Sequence, residues 1–167
     1  MGLEEEIKQR KRFENEYEKL IVNVIYTNSW LSERQHAIFK PFGITAPQYN
    51  VLRILRGQHP GPCTINTIIE RMLDRMSNAS RIVDRLETKE LVERKVCKTD
   101  RRAKDVLITQ KGLDILEEVE KAFGFWMQHF ETIPKEKVEA ANDLLDEFRD
   151  TSSWVARAFL IFPKPFP

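Results

Sequence analysis

The stretch from Thr64 to Ile108 leaves this chain few ways to fold. Thr64 can cap a short helix that carries Ile65, Ile68, Ile69 and Met72 on its apolar face. After a turn near 74–76, a second helix is expected to begin at Ser77. In it Ala79, Ile82, Val83 and Leu86 recur at i, i+3, i+4 and i+7, which makes them the inward face. Ser77, Asn78, Ser80, Arg81, Asp84 and Arg85 are then outward. Two runs rich in Val, Leu and Ile follow, at about 91–97 and 103–108. They read as an antiparallel ribbon around a tip, TDRRAK, that is charged where hairpins usually carry Gly, Asn or Pro. A lone hairpin is marginal in water, so this one must lean on the helices or on a third short strand. Residues 63–65 could supply that strand.

Two short helices joined by a tight turn, the second polar on its outer face, form a helix-turn-helix, and the ribbon after them makes it winged. The flanking segments are helical too. Residues 3–40 read as one long helix, with Phe13, Tyr17, Leu20, Ile21, Val24, Ile25 and Leu31 along a stripe and a possible kink at Asn28-Ser29. Pro41 and Gly43 end it. TAPQ at 45–48 is a capping box with Pro47 in the first turn, and Gly57 stops the helix it opens. Thr109 caps a helix over 110–131. Pro134 opens another over 135–150, with Val138, Ala141, Leu144, Leu145 and Phe148 inward. The end, SSWVARAFLIFPKPFP, is aromatic and proline-rich. The expected fold is therefore mainly α with a small antiparallel β-ribbon.

Charge narrows the function. The net charge of +1 hides an asymmetry. Residues 71–111 hold twelve basic and seven acidic side chains, a balance of +5, whereas 112–150 hold eleven acids and four bases, a balance of −7. A basic middle segment suits a polyanion, and the acidic end serves another surface. No G-x-S-x-G, H-E-x-x-H, phosphate-loop or dinucleotide pattern occurs, so neither catalysis nor a cofactor is expected. His36, His59 and His129 have no i, i+4 partners, and no metal is expected. Two cysteines, Cys63 and Cys97, suit a reducing compartment, and LIVNVIY at 20–26 is too short to span a bilayer. A cytoplasmic protein is expected. Cys97, between Lys95 and Lys98, is open to two readings: a thiol of lowered pKa, or a small packed side chain.

The run RIVDRLETKELVERKVCKTDRRAKDVLITQKG, 81–112, resembles the core of the MarR-type winged-helix transcription regulators. The likeness lies in RIVDRLE in the second helix of the motif, LVER entering the wing, DRR at 100–102, and LIT-QKG leading into the next helix. One departure is Glu90, where the family usually has Gly to end the helix in a left-handed conformation. The resemblance extends more loosely over 13–150. It implies a homodimer acting on a palindromic operator, usually as a repressor. Residues 1–40 and 111–167 would then form the dimerisation region around a DNA-binding domain at 41–110.

On that reading the second helix enters the major groove. Asn78 would face adenine edges and Arg81 guanine edges, with Ser77 beside them and Ser80 and Arg85 on phosphates. The resemblance makes Arg102 the candidate for minor-groove insertion, with Arg101 beside it, Asp100 shaping the tip, and Lys98 and Lys104 on phosphates. Proteins of this kind commonly sense small aromatic or phenolic molecules. Tyr26, Trp30, His36, Tyr49, Arg53 and Trp126 are the candidates for such a cleft. A competing class is a winged helix that has lost DNA binding and assembles with other proteins.

Overall fold

The computed structural model describes residues 2–96 and 104–150. The order of elements is α1 (Leu3–Glu6), α2 (Glu16–Phe39), a 3-10 turn (Lys40–Phe42), α3 (Ala46–Arg56), β1 (Cys63–Thr64), α4 (Ile65–Arg71), α5 (Ala79–Thr88), β2 (Val92–Val96), β3 (Lys104–Ile108), α6 (Gln110–Met127), a 3-10 turn (Gln128–Thr132) and α7 (Lys135–Arg149). The chain divides after Phe123 into two compact units. Among the described residues no helix is long and apolar enough to cross a membrane.

The first unit holds the winged helix. Its sheet has the order β1-β3-β2, all antiparallel. Cys63 lies opposite Val106, and Val92 opposite Ile108. The third strand therefore comes from Cys63–Thr64, while Ile65 already belongs to α4, whose cap is Thr64 accepting the Thr67 N–H at 3.1 Å. The core gathers Phe39, Leu52, Leu55, Ile68, Val83, Leu86, Leu91, Val106, Leu116 and Val119, all fully buried. Ala79, Val83 and Leu86 supply the inward face of α5 as their spacing requires, with Ile82 half-buried against them. Burial also pushes the Cys63 thiol up from its ordinary pKa.

The capping box of α3 is present. Thr45 Oγ1 accepts the Gln48 N–H at 3.4 Å, and Gln48 Oε1 accepts the Thr45 N–H at 3.2 Å. Lys89, one residue past α5, completes it by donating to Gln48 Oε1 at 3.1 Å and to the Gly43 carbonyl at 2.5 Å. The buried Gln48 amide oxygen thus ties the end of α5 to the start of α3.

Three expectations fail, each for a local reason. The single helix over 3–40 is broken between α1 and α2. Lys8 would stack against the like charges of Lys11 and Arg12, three and four residues on, if the helix continued. Lys8 instead takes a left-handed φ of 54°. Asn15 then caps α2 by accepting the Glu18 N–H at 2.9 Å, and Lys19 pairs with Glu4 at 2.8 Å, which holds that carboxyl below its usual range. No break occurs at Asn28-Ser29. The motif's second helix starts at Ala79 rather than Ser77, because Asn78 is its N-cap. Finally, the face of α7 assigned inward is not: Val138, Leu144 and Phe148 are exposed. Tyr17, Ile21 and Ile25 on the α2 stripe are exposed as well.

The departure at Glu90 does not change the local geometry. Glu90 adopts a left-handed φ of 61°. Its N–H donates to the Glu87 carbonyl at 2.8 Å, and the Leu91 N–H donates to the Leu86 carbonyl at 3.0 Å. This is the bonding of a helix end with a left-handed residue just past the cap, normally a glycine. Tertiary packing of Leu86 and Leu91 holds a residue with a Cβ where Gly would be relaxed. Glu90→Gly is therefore expected to raise stability by about 0.5–1 kcal/mol, net of an exposed Glu90–Lys111 pair that contributes little. Denaturant unfolding measures this. A loss of stability would show that the side chain, not the backbone, matters at this position.

Candidate nucleic-acid interface

The turn between α4 and α5 is tightly bonded. Asp74 accepts the Met76 N–H at 3.0 Å and the Ser77 hydroxyl at 2.5 Å. These donors hold the Asp74 carboxyl below its usual pKa range. Asn78 Oδ1 accepts the Arg81 N–H at 3.0 Å, so the side chain assigned to base edges also builds the helix end. Its amide nitrogen is left as the group that could donate outward. Ser80, Arg81 and Arg85 are exposed on α5, as their spacing requires.

What the sequence hid is Arg94. It lies on β2, its side chain is 19 % exposed, and its guanidinium reaches back over α5. One nitrogen pairs with Glu87 Oε2 at 3.0 Å. The other pairs with Asp84 Oδ1 at 2.5 Å and donates to the Ser80 carbonyl at 3.4 Å. The two acids of α5 are thereby neutralised from one side. Among the described residues no ion pair engages Arg81 or Arg85. A helix with a nearly balanced sequence charge therefore presents a cationic outer face. No periodicity within α5 could show this, because the neutralising group comes from another element.

The base of the wing is fastened to α6. Thr109 Oγ1 donates to the Glu90 carbonyl at 2.8 Å and accepts the Gly112 N–H at 3.0 Å, while the Thr109 N–H donates to the Leu91 carbonyl at 3.1 Å. Lys111 Nζ lies 2.8 Å from Glu90 Oε2. Of the wing cations, Lys104 is exposed at the start of β3. Lys98, Arg101 and Arg102, with Cys97 and Asp100, fall outside the described residues, as does the tail from 151.

The residues singled out for an effector do not form one cluster. Tyr26 and Trp30 line a groove of about 550 Å³ together with Leu3, Lys19, Asn23 and Thr27. Tyr49 is buried, stacked on Phe39 at 4.8 Å, with the Arg53 guanidinium 5.8 Å from its ring centre. Burial raises the Tyr49 pKa. Arg53 and Arg56 both pair with Glu120. His36 is exposed. Trp126 belongs to the second unit, edge-on to Phe130 at 4.9 Å.

Helices α4 and α5, joined by a bonded turn and followed by the β2–β3 ribbon that β1 completes into a three-stranded sheet, define a winged helix-turn-helix. Residues 42–103, under half of the chain, match the MarR family profile. The chain is 34 % identical over 77 residues to the HTH-type transcriptional regulator MhqR of Bacillus subtilis, a match that spans 46 % of this chain and about half, 52 %, of that protein. The fold is shared with solved structures. The DNA complex of MepR from S. aureus superposes with a TM-score of 0.70 at 20 % identity, covering 84 % of this chain and 99 % of that one. The organohalide-sensing regulator RdhR, in its 2,4-dichlorophenol-bound form, gives 0.74 at 16 % identity, covering 86 % and 88 %.

Proposed function

We propose that the chain is a sequence-specific double-stranded-DNA-binding transcription regulator, working as a homodimeric repressor on a palindromic operator. The observation that carries this reading is the outer face of α5. Arg81 and Arg85 stand free of described ion pairs while Arg94 holds Asp84 and Glu87. Such a face suits a phosphate-lined groove and would repel a basic protein surface. The DNA complex solved for MepR supports it by likeness of fold. On this reading Arg81 would read a guanine edge beside Ser77 and Asn78, Ser80, Arg85, Lys98 and Lys104 would meet phosphates, and Arg101 and Arg102 would enter the minor groove.

Dimerisation has a physical motive. Tyr17, Ile21 and Ile25 on α2 and Val138, Leu144 and Phe148 on α7 are apolar and exposed. A second copy would bury these faces, and its two-fold axis implies half-sites one helical turn apart, about 10 bp. The tail from 151 would join that interface. The protein would work in the cytoplasm, where the chromosome is accessible. A small aromatic effector would enter the groove of Tyr26 and Trp30, and the dichlorophenol-bound relative lends that idea its chemistry. It could act only by preferring the arrangement that does not bind DNA.

Selection of bound sequences from a random DNA pool tests this. A palindromic consensus with half-sites one turn apart is expected, with affinity falling steeply as salt rises. Arg81→Ala should weaken operator binding by about tenfold to a hundredfold and relax preference at one base pair per half-site. Arg102→Ala should mainly flatten the salt dependence. No enrichment at low salt would turn the reading toward a protein-interaction module.

A further inference from the structure

The turn that leads into α5 carries a side chain that no folding role explains. Met76 is 94 % exposed. It is not a loose residue on a slack loop. Its N–H is held by Asp74 at 3.0 Å, Ser77 on its C-terminal side is held by the same carboxylate, and Asn78 caps the helix immediately after. A thioether is thus kept in water just before the first turn of α5. In a helix-turn-helix the N-terminal end of this second helix is the part that meets base edges.

We propose that Met76 contacts the 5-methyl group of a thymine in the major groove. The inference rests on the DNA-binding reading and adds a specificity determinant to it. The thymine methyl is the apolar group that base pairs display in that groove. A flexible, polarizable thioether fits such a small apolar target without demanding one geometry. Charge selects the occupant. Arg75, Arg81 and Arg85 are exposed within the same turn and helix, Asp84 is paired with Arg94, and the single charge of Asp74 is turned to the Ser77 hydroxyl and the Met76 N–H. An apolar group set among cations favours a polyanion over a second copy of the same cationic surface.

The test uses the full-length protein and its selected operator, in which each thymine is replaced in turn by deoxyuridine, symmetrically in both half-sites. Deoxyuridine pairs as thymine does but lacks the methyl. One position is expected to cost the wild-type protein about fourfold in affinity per half-site, the worth of one buried methyl. Met76→Ala should lose a similar factor on the thymine operator and be indifferent to deoxyuridine at that position. Because the side chain lies in solvent, an unchanged circular-dichroism melt should show that this variant folds. Deoxyuridine tolerated everywhere by the wild type, or a penalty undiminished in Met76→Ala, overturns the assignment while leaving DNA binding intact. A pool that yields no bound sequence overturns both.

Discussion

Gly112→Ala is expected to lower the unfolding free energy by about 3 kcal/mol, at the upper end of what overpacking costs. A Cβ built at Gly112 would lie 2.2 Å from the Leu91 carbonyl oxygen and 2.8 Å from Ile108 Cγ1. Neither neighbour can step aside cheaply. The Leu91 carbonyl accepts the Thr109 N–H, and Leu91 itself is buried beside Leu86 at the end of α5. Moving it would loosen the joint between α5, the wing and α6. For a chain of this size the melting temperature should fall by about 6–12 °C at fixed protein concentration. Gly124→Ala is the control, because a Cβ there meets nothing within 4 Å and α6 would gain helix propensity. If the two substitutions shift stability alike, the close approach at Gly112 has no energetic weight.

The second large effect concerns a residue expected to touch no DNA. Arg94→Met should weaken operator binding by about tenfold at low salt. Its stem volume is kept, but Asp84 and Glu87 are released beside the DNA-facing helix, where their charge opposes phosphates. Adding Asp84→Asn and Glu87→Gln should restore most of the affinity, since the free carboxylates are then gone. The loss should shrink as salt rises, because exposed charges are screened. A loss that the two neutral substitutions do not relieve would mean that Arg94 positions the wing mechanically, or meets DNA itself, rather than silencing the acids.

Much of the winged helix was legible from local chemistry. The four apolar positions of α5, the Thr64 and Thr109 caps, the capping box at Thr45 and the two β-runs each depend on side chains within a few residues of one another. Such features survive almost any tertiary arrangement that buries the apolar side. The break after α1 was also local, but the stripe masked it. A cluster of cations at 8–12 weighs more than a continued apolar period when that period has nothing to pack against in its own chain. The inward face assigned to α7 fails for a related reason. Periodicity says that a face wants burial, not which molecule supplies it.

The candidate interface divides in the same way. Which residues point outward from α5 followed from spacing. Which of them remain charged did not, because Arg94 is ten residues from Asp84 in sequence and reaches it only through the return of β2. Glu90 teaches the converse. Its residue type argues against a left-handed helix end, yet the packing of Leu86 and Leu91 and the Thr109 bond impose one. The exposed thioether of Met76, too, appears only when the turn is seen to be bonded rather than slack.

By itself the sequence determined the order of elements from α3 to α6, the inward and outward faces of α5 and the resemblance to a family, because hydrophobic period, caps and motif spacing act over a few residues. Only the tertiary structure decided the neutralisation of the acids on α5, the strained end at Glu90, the glycine demanded at 112 and the apolar faces left uncovered. Those depend on which distant groups the folded chain brings within bonding distance, where electrostatic pairing and steric exclusion act.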